Sequence, residues 1–286
     1  MKVMLGAVHQ SVREVTRKVR ALSNNSIENE AISLLKRLAP PRFRIDDAQG
    51  YCTFSSQDLG VGDDIARIAA LSKAWKSEST RTAADKPFLI NILRSNDLFD
   101  IPEVLNVALH DGILASVSEY LGQVPWLVSI NVWWTQPNQT AIRSQLFHYD
   151  HRDTRQAKLF INLNDVGPDS GPLNFLPAQS SLKVNKVVGY SQGRYTDEEV
   201  YSACSPSEVL STVGTAGSSF FVDTARCLHY GSRENKFERL VLMVSFARVN
   251  CVDKGAGCDV VDPVRQRIIS EHFGNDPVRA FALHAQ

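Results

Sequence analysis

The stretch SQLFHYDHRDTRQAKLFINLNDVGPDSGPLNFLP, residues 144–177, decides how this chain is read. It holds a short run ending in His148-Tyr149-Asp150, then the apolar run Lys158 to Leu163, then the turn residues Gly167-Pro168-Asp169 and Gly171-Pro172. Residues i and i+2 of a strand project to one face. His148 and Asp150 therefore offer an imidazole and a carboxylate side by side. A third ligand from a facing strand would complete a set of two histidines and one carboxylate. That set leaves half an octahedral metal open and is associated with non-haem Fe(II) oxygenases. Histidine is sparse, with seven in the chain, and His229 follows another apolar run, SSFFVD (218–223). His-x-Asp alone is a weak signal, and strand-end polar residues beside a turn would look the same. His151 and Asp153 form a second His-x-Asp, but the strand pattern ends near Tyr149, so this pair is expected in a turn.

Working outward, LVSINVWW (127–134), IRSQLFHY (142–149), KLFINL (158–163), VNKVV (184–188), SSFFV (218–222) and LVLMVSF (240–246) are short runs rich in branched and aromatic residues. Turn residues separate them, a spacing that predicts a sandwich or barrel of strands. Upstream the pattern is helical. Val8, Val12, Val15, Val19 and Leu22 recur at steps of four and three and predict an amphipathic helix packed on its apolar stripe, either within the molecule or as a dimer face. A further helix is expected over 63–75, and another from Ile101 to Leu121, with Asp100 and Glu103 as a capping box and Gly122 at its C-terminal end. Asp262-Pro263 opens a terminal helix. The expected organisation is one domain over 1–286: a mostly helical part (1–125), a β core (126–250) and a helical tail (251–286).

Composition narrows the class. The chain has 286 residues, 43% hydrophobic and 22% charged, with formal net charge +0. These values suit a soluble globular protein, and no basic excess points to nucleic acid. No apolar run is long enough for a membrane span. The N-terminal residues lack the apolar region of a secretory signal, so a cytoplasmic location is expected. Cys52, Cys204, Cys227, Cys251 and Cys258 are odd in number and scattered, which predicts free thiols.

Arg239 enters the apolar run 240–246 ten residues after His229. A guanidinium at such a place needs an anion, because an unpaired buried charge is costly. A carboxylate gripped at two points would supply it, and an ion pair with Glu234 or Glu238 would serve as well.

The two segments 144–177 and 218–233, the second reading SSFFVDTARCLHYGSR, resemble the phytanoyl-CoA dioxygenase family of Fe(II)/2-oxoglutarate oxygenases. The likeness runs through His148 and Asp150, Lys158 to Leu163, Asp165-Val166, Gly171-Pro172-Leu173, Pro177, Asp223-Thr224, His229-Tyr230-Gly231 and Arg239, and covers roughly 127–248. Pro177-Ala178-Gln179-Ser180 departs from the Pro-Gly-Ser-His of many relatives. The resemblance implies a mainly β fold with α: a double-stranded β-helix (jelly-roll or cupin-like) core flanked by N- and C-terminal helices. It implies His148, Asp150 and His229 as ligands of Fe(II), Arg239 as the anchor of 2-oxoglutarate, and Gln145 as a weaker cofactor contact. The implied activity is oxidation of a small organic metabolite, most simply hydroxylation, with release of succinate and CO2. Asp150 fits oxygen rebound, since related halogenases carry a small residue there. The alternatives are a non-catalytic β-helix binding protein and a cupin-type metal enzyme without 2-oxoglutarate; intact candidate ligands speak against the first, Arg239 against the second.

Several neighbours of this pattern carry their own expectations. Lys158 faces either the barrel interior or solvent. Trp133 and Trp134 must face opposite sides of a strand, one in the core and one at a pocket. Cys227 shares parity with His229 but is expected to be a buried filler. Asp223 is expected to pair with Arg226. The polar segment 189–208, with Tyr190, Tyr195 and Tyr201, is expected to cover the mouth of the site.

Overall fold

The computed structural model describes residues 2–78, 87–93, 101–191, 193–252 and 262–283. In chain order its main elements are α1 (Lys2–Ser23), α2 (Asn25–Ser33), β1 (Tyr51–Ser55), α3 (Gly62–Glu78), β2 (Ile90–Asn91), α4 (Pro102–Ala108) and α5 (Asp111–Leu121). There follow β3 (Trp126–Thr135), β4 (Gln156–Asn162), β5 (Asn174–Phe175), α6 (Ala178–Val187), α7 (Asp197–Tyr201), β6 (Leu210–Ser211), β7 (Ser218–Val222), β8 (His229–Tyr230), β9 (Arg239–Ala247), α8 (Asp262–His272) and α9 (Pro277–Leu283). A six-stranded sheet runs β1-β7-β4-β9-β3-β2, and a three-stranded sheet runs β6-β5-β8. Every pairing is antiparallel.

Strand alternation gives the large sheet two different faces. On β4, Ala157, Leu159 and Ile161 join Leu240, Leu242, Val244 and Phe246 of β9 in the main apolar core beneath the helices. The intervening Lys158 and Phe160 of β4, with Arg239, Val241 and Met243 of β9, line a cavity on the other face. One face thus carries stability through apolar burial, and the other is free to carry chemistry. β3 obeys the same rule: Trp134 packs against the main core while Trp133 lines the cavity.

The described residues of the mostly helical first 125 also supply β1 and β2, the two edges of the large sheet. Other expectations are corrected. The expected helix 101–121 is two helices. The break falls at His110, whose extended backbone caps α5 and whose Nδ1 accepts from Gly112 N at 3.1 Å. Apolar residues surround both pieces rather than forming one stripe, so two short helices bury what one straight helix would leave partly exposed. Gly122 ends α5 in the left-handed conformation, as expected; Asp100 lies outside the described residues. VNKVV is not a strand: Val184 to Val187 complete α6, with Val184 buried and Val187 exposed.

α1 is oriented opposite to its apolar stripe. Val12, Val15 and Val19 are more than half exposed and Leu22 is 80% exposed. The polar side faces the body. Arg13 donates to the carbonyls of His151 and Asp153 at 2.7 and 3.0 Å. Glu14 accepts from Thr154 at 2.8 Å, and Arg20 reaches the carbonyls of Cys251 and Val252. Charge-assisted hydrogen bonds, about twice as strong as neutral ones, outcompete the modest burial four side chains would provide. No described helix is long and apolar enough to cross a membrane.

Candidate active site

His148 lies just outside a named strand, yet forms an isolated antiparallel bridge with His229 of β8. Their backbones exchange hydrogen bonds of 3.0 and 3.1 Å. Two residues on, Asp150 N donates to Thr224 O at 2.9 Å, which fixes the carboxylate beside them. The segment 147–150 therefore reaches its place by pairing with 224–230, and i/i+2 parity puts both side chains on one side. The ligand atoms of His148, Asp150 and His229 all lie within 4.8 Å of one another, and among the described residues no other such cluster of metal-ligating groups exists.

Each imidazole is aimed by its own backbone. His148 Nδ1 lies 2.9 Å from Leu146 O, and His229 Nδ1 lies 2.9 Å from Cys227 O. A carbonyl accepts only, so each Nδ1 carries the proton and each Nε2 keeps its lone pair for the cavity. Burial lowers the pKa of His148 to about 3, helped by the neighbouring His229 and opposed by Asp150. Burial also lowers His229, against the pull of Asp150. Burial would raise the Asp150 carboxyl, but Lys158 and the two imidazoles outweigh it and hold it well below the usual carboxylate range. The result is two neutral nitrogen donors and one anionic oxygen donor, all deprotonated as metal ligation requires. This donor set fits a divalent first-row metal with open positions.

These groups line a cavity of about 170 Å³ that also receives Ser144, Lys158, Ser232 and Arg239. Arg239 is 7% exposed. One terminal nitrogen donates to Ser232 Oγ at 3.1 Å, while its Nε is buried without a partner. Burial alone pushes its pKa down to about 10. Neither expected ion pair exists: Glu238 instead receives Lys76 at 2.8 Å and Trp134 Nε1 at 2.9 Å, and none of the described ion pairs includes Arg239 or Glu234. A buried guanidinium at a cavity wall, with no carboxylate among its described ion pairs, suits an anionic ligand. Ser232, in the left-handed region at φ 59°, turns its hydroxyl toward both Arg239 and Thr135.

Gln145 is placed elsewhere. It is fully buried outside the cavity lining, and its amide donates to Asn138 Oδ1 at 3.0 Å and to Ser232 O, while accepting from Ile142 N at 2.8 Å. Both amide hydrogens are used in holding the loop 138–145 against Ser232. The second His-x-Asp is also taken: Asp153 is fully buried against Arg248 Nε at 2.7 Å, and His151 Nδ1 meets the Tyr190 hydroxyl at 3.2 Å. Cys227 is a buried filler whose thiol points at the Gln49 and Gly50 carbonyls. Asp223 accepts from the Tyr120 hydroxyl at 2.6 Å, and Arg226 reaches the same hydroxyl at 2.9 Å, so tyrosine stands between the expected partners.

Among its described residues, the segment 189–208 contributes none to the cavity wall. Its Tyr195 bridges to Phe147, and its tyrosines pack with Phe147 and Tyr149 behind the histidine segment. It supports the site from outside rather than covering it. Sequence reading missed Ser232 and Thr135, which brace Arg239. Only Ser232 gave any signal, as the polar residue following the His-Tyr-Gly turn.

A second cavity of about 230 Å³ lies between α1 and α6, lined by Arg13, Glu14, Asn185 and Arg226 among others. Its two guanidinium groups already hold protein acceptors, so no comparable anion site results.

No protein-family model matches the sequence, and no curated protein sequence matches it. Among solved structures, the chain is similar to the epimerase SnoN in complex with Fe3+, alpha ketoglutarate and nogalamycin RO: 17% identity over 76% of this chain and 84% of that one, TM-score 0.50. It also aligns with HygX from Streptomyces hygroscopicus with nickel and 2-oxoglutarate bound (12% identity, 71% and 84% covered, TM-score 0.46). EctD from S. alaskensis with 2-oxoglutarate and 5-hydroxyectoine aligns at 14% identity, with 71% and 73% covered and TM-score 0.48. The two facing antiparallel sheets and the likeness to SnoN establish the architecture of this chain as a double-stranded β-helix.

Proposed function

We propose that the chain is an Fe(II)/2-oxoglutarate-dependent oxygenase of the phytanoyl-CoA dioxygenase type, hydroxylating a small organic metabolite with release of succinate and CO2. One observation carries this reading: the buried Arg239, which no described protein carboxylate pairs, shares a cavity with a triad of two neutral imidazoles and a carboxylate. A metal site alone explains the triad but gives no reason to bury a guanidinium. A dicarboxylate bound through one end at the metal and through the other at Arg239 explains both. The bound iron supplies the oxidising chemistry; the protein supplies orientation and a shaped cavity.

The work of the chain's own residues follows. His148, Asp150 and His229 would hold the metal through two imidazole nitrogens and one carboxylate oxygen. The Leu146 and Cys227 carbonyls keep both imidazoles in the ligating tautomer. Ser232 sets the plane of the Arg239 guanidinium. Trp133, Phe160, Leu173 and Met243 form an apolar wall that limits water at the reacting centre. The first 125 residues act with the β core as one domain, since β1 and β2 belong to its large sheet. A cytoplasmic enzyme with reduced thiols fits the four free cysteines among the described residues.

The test is binding and turnover of the co-substrate. Iron-loaded protein should bind 2-oxoglutarate, and the Arg239→Ala variant should bind it poorly. Metal binding without any response to 2-oxoglutarate would favour a cupin-type enzyme instead.

A further inference from the structure

Lys158 enters the cavity from β4, on the same face as Phe160. Its ammonium lies 2.6 Å from Asp150 Oδ2, the oxygen that also lies 3.6 Å from His229 Nε2. This is its one ion pair among the described residues. The same cavity also presents an apolar share of wall: Trp133, Phe160, Leu173, Val241 and Met243. Arg194 stands nearby, exposed, its Nε donating to Arg143 O at 2.8 Å. Arg143 adjoins Ser144 of the cavity wall, which places Arg194 at the edge of that wall.

The charges do not balance. Within the cavity Lys158 and Arg239 set two fixed cations against the single carboxylate of Asp150, and Arg194 adds a third outside the lining, on the Arg143 carbonyl. On the reading of the site given above, on which this inference rests, a dication and a 2-oxoglutarate dianion cancel and leave the surplus unchanged. Arg239 then has its partner, but Lys158 does not. Asp150 neutralises it only while no metal shares that carboxylate, because two cations on one anion repel. A partly buried ammonium is costly without a counter-ion, and its flexible stem lets it turn toward one.

We propose that the substrate is a small organic acid, a carboxylate or a phosphate, whose anionic group is held by Lys158, with Arg194 drawing it toward the mouth of the cavity. Lys158 is then a specificity-determining residue. It places the acid group beside the metal position and leaves the apolar wall to the carbon skeleton.

The experiment uses the full chain loaded with Co(II) and 2-oxoglutarate under nitrogen. Paired probes are added, benzoate against benzamide and phenyl phosphate against benzyl alcohol. Paramagnetic broadening of the probe protons reports their approach to the metal. Each acid should bind at least about tenfold more tightly than its neutral partner, and K158M should erase that difference, as expected when one member of a close charge pair is removed. K158R should restore it, which separates charge recognition from damage to the fold. R194Q should weaken the acids about two- to threefold and reduce their salt dependence, the mark of a rim charge. Acids bound no better than neutral probes, no acid bound at all, or discrimination surviving in K158M would each overturn the proposal. Calorimetric titration of 2-oxoglutarate into the Co(II) protein before any probe keeps the two claims apart. Its failure removes the reading of the site; its success with indifferent probes removes this inference alone.

Discussion

His148 and His229 face each other across an isolated antiparallel bridge, their ring centroids 4.3 Å apart and tilted by 45°. Distant parts of the chain thus bring two imidazoles together through backbone pairing, before any metal is considered. The Nδ1 of each is held by the carbonyl two residues earlier, so the pair is preorganised in the tautomer that ligates. Replacing His229 by Ala should lower divalent-metal affinity by more than about 100-fold, since losing support around a ligand already costs 10–100-fold. Metal calorimetry on the apo protein checks this.

The same burial makes the metal-free protein sensitive to acid. The pKa of His148 is lowered from its ordinary 6.5 to about 3 by burial first, and His229 is lowered too. In the unfolded chain both imidazoles take up protons below about pH 6.5; in the folded chain they resist. The unfolded state therefore binds more protons in this window, and stability falls as pH falls from about 6.5 toward 3. Urea titrations of the apo protein should show this slope, and His148→Gln should flatten it.

Arg239 should matter to the co-substrate and not to the metal. Arg239→Ala should weaken 2-oxoglutarate binding by roughly 2–5 kcal/mol, the usual effect of truncating one partner of a buried charge pair. Arg239→Lys should recover only part of that, because a point charge cannot grip a carboxylate at two positions. Parallel titrations with metal and with 2-oxoglutarate separate the two effects.

Asp153, fully buried, accepts from Arg248 through two nitrogens at 2.7 and 3.0 Å. Burial raises its carboxyl against the pull of Arg248. Arg248→Ala should cost about 3–5 kcal/mol by leaving a buried charge uncompensated. It should also loosen α1, whose Arg13 donates to the Asp153 carbonyl. Denaturation and proteolysis within 2–23 report the two consequences.

For α1 itself, Val15→Asp should change stability by less than about 0.5 kcal/mol, as on any open surface. Arg13→Ala should cost about 1.5–3 kcal/mol through lost charge-assisted hydrogen bonds. Thermal melts of the two variants show which face of the helix is attached.

The site was legible where the chain obeys a period of two. His148 with Asp150, and Lys158 with Phe160, share faces in the way strand parity dictates, and Arg239 announced itself as a charge entering an apolar strand. What was not legible depended on distant partners. The Val8–Leu22 stripe reads as a packing face, within the molecule or between copies, because nothing local reveals that Thr154, Asp153 and Cys251 offer hydrogen-bonding groups to the opposite side. Gln145 has the chemistry of a cofactor contact, but Asn138 and Ser232 use it to brace a loop. VNKVV has strand composition, yet the Pro177 turn starts a helix that carries through it. Tyr51–Ser55 joins the sheet edge only because β7 is there to pair with it.

The most direct measurement is an anaerobic titration of 2-oxoglutarate into the Fe(II)-loaded protein, repeated without metal and in the His229→Ala and Arg239→Ala variants. One equivalent should bind to the iron-loaded parent chain, and binding should collapse in all three other cases. Equal binding with and without iron, or undiminished binding in Arg239→Ala, would contradict the shared cavity of triad and guanidinium as the seat of the chemistry.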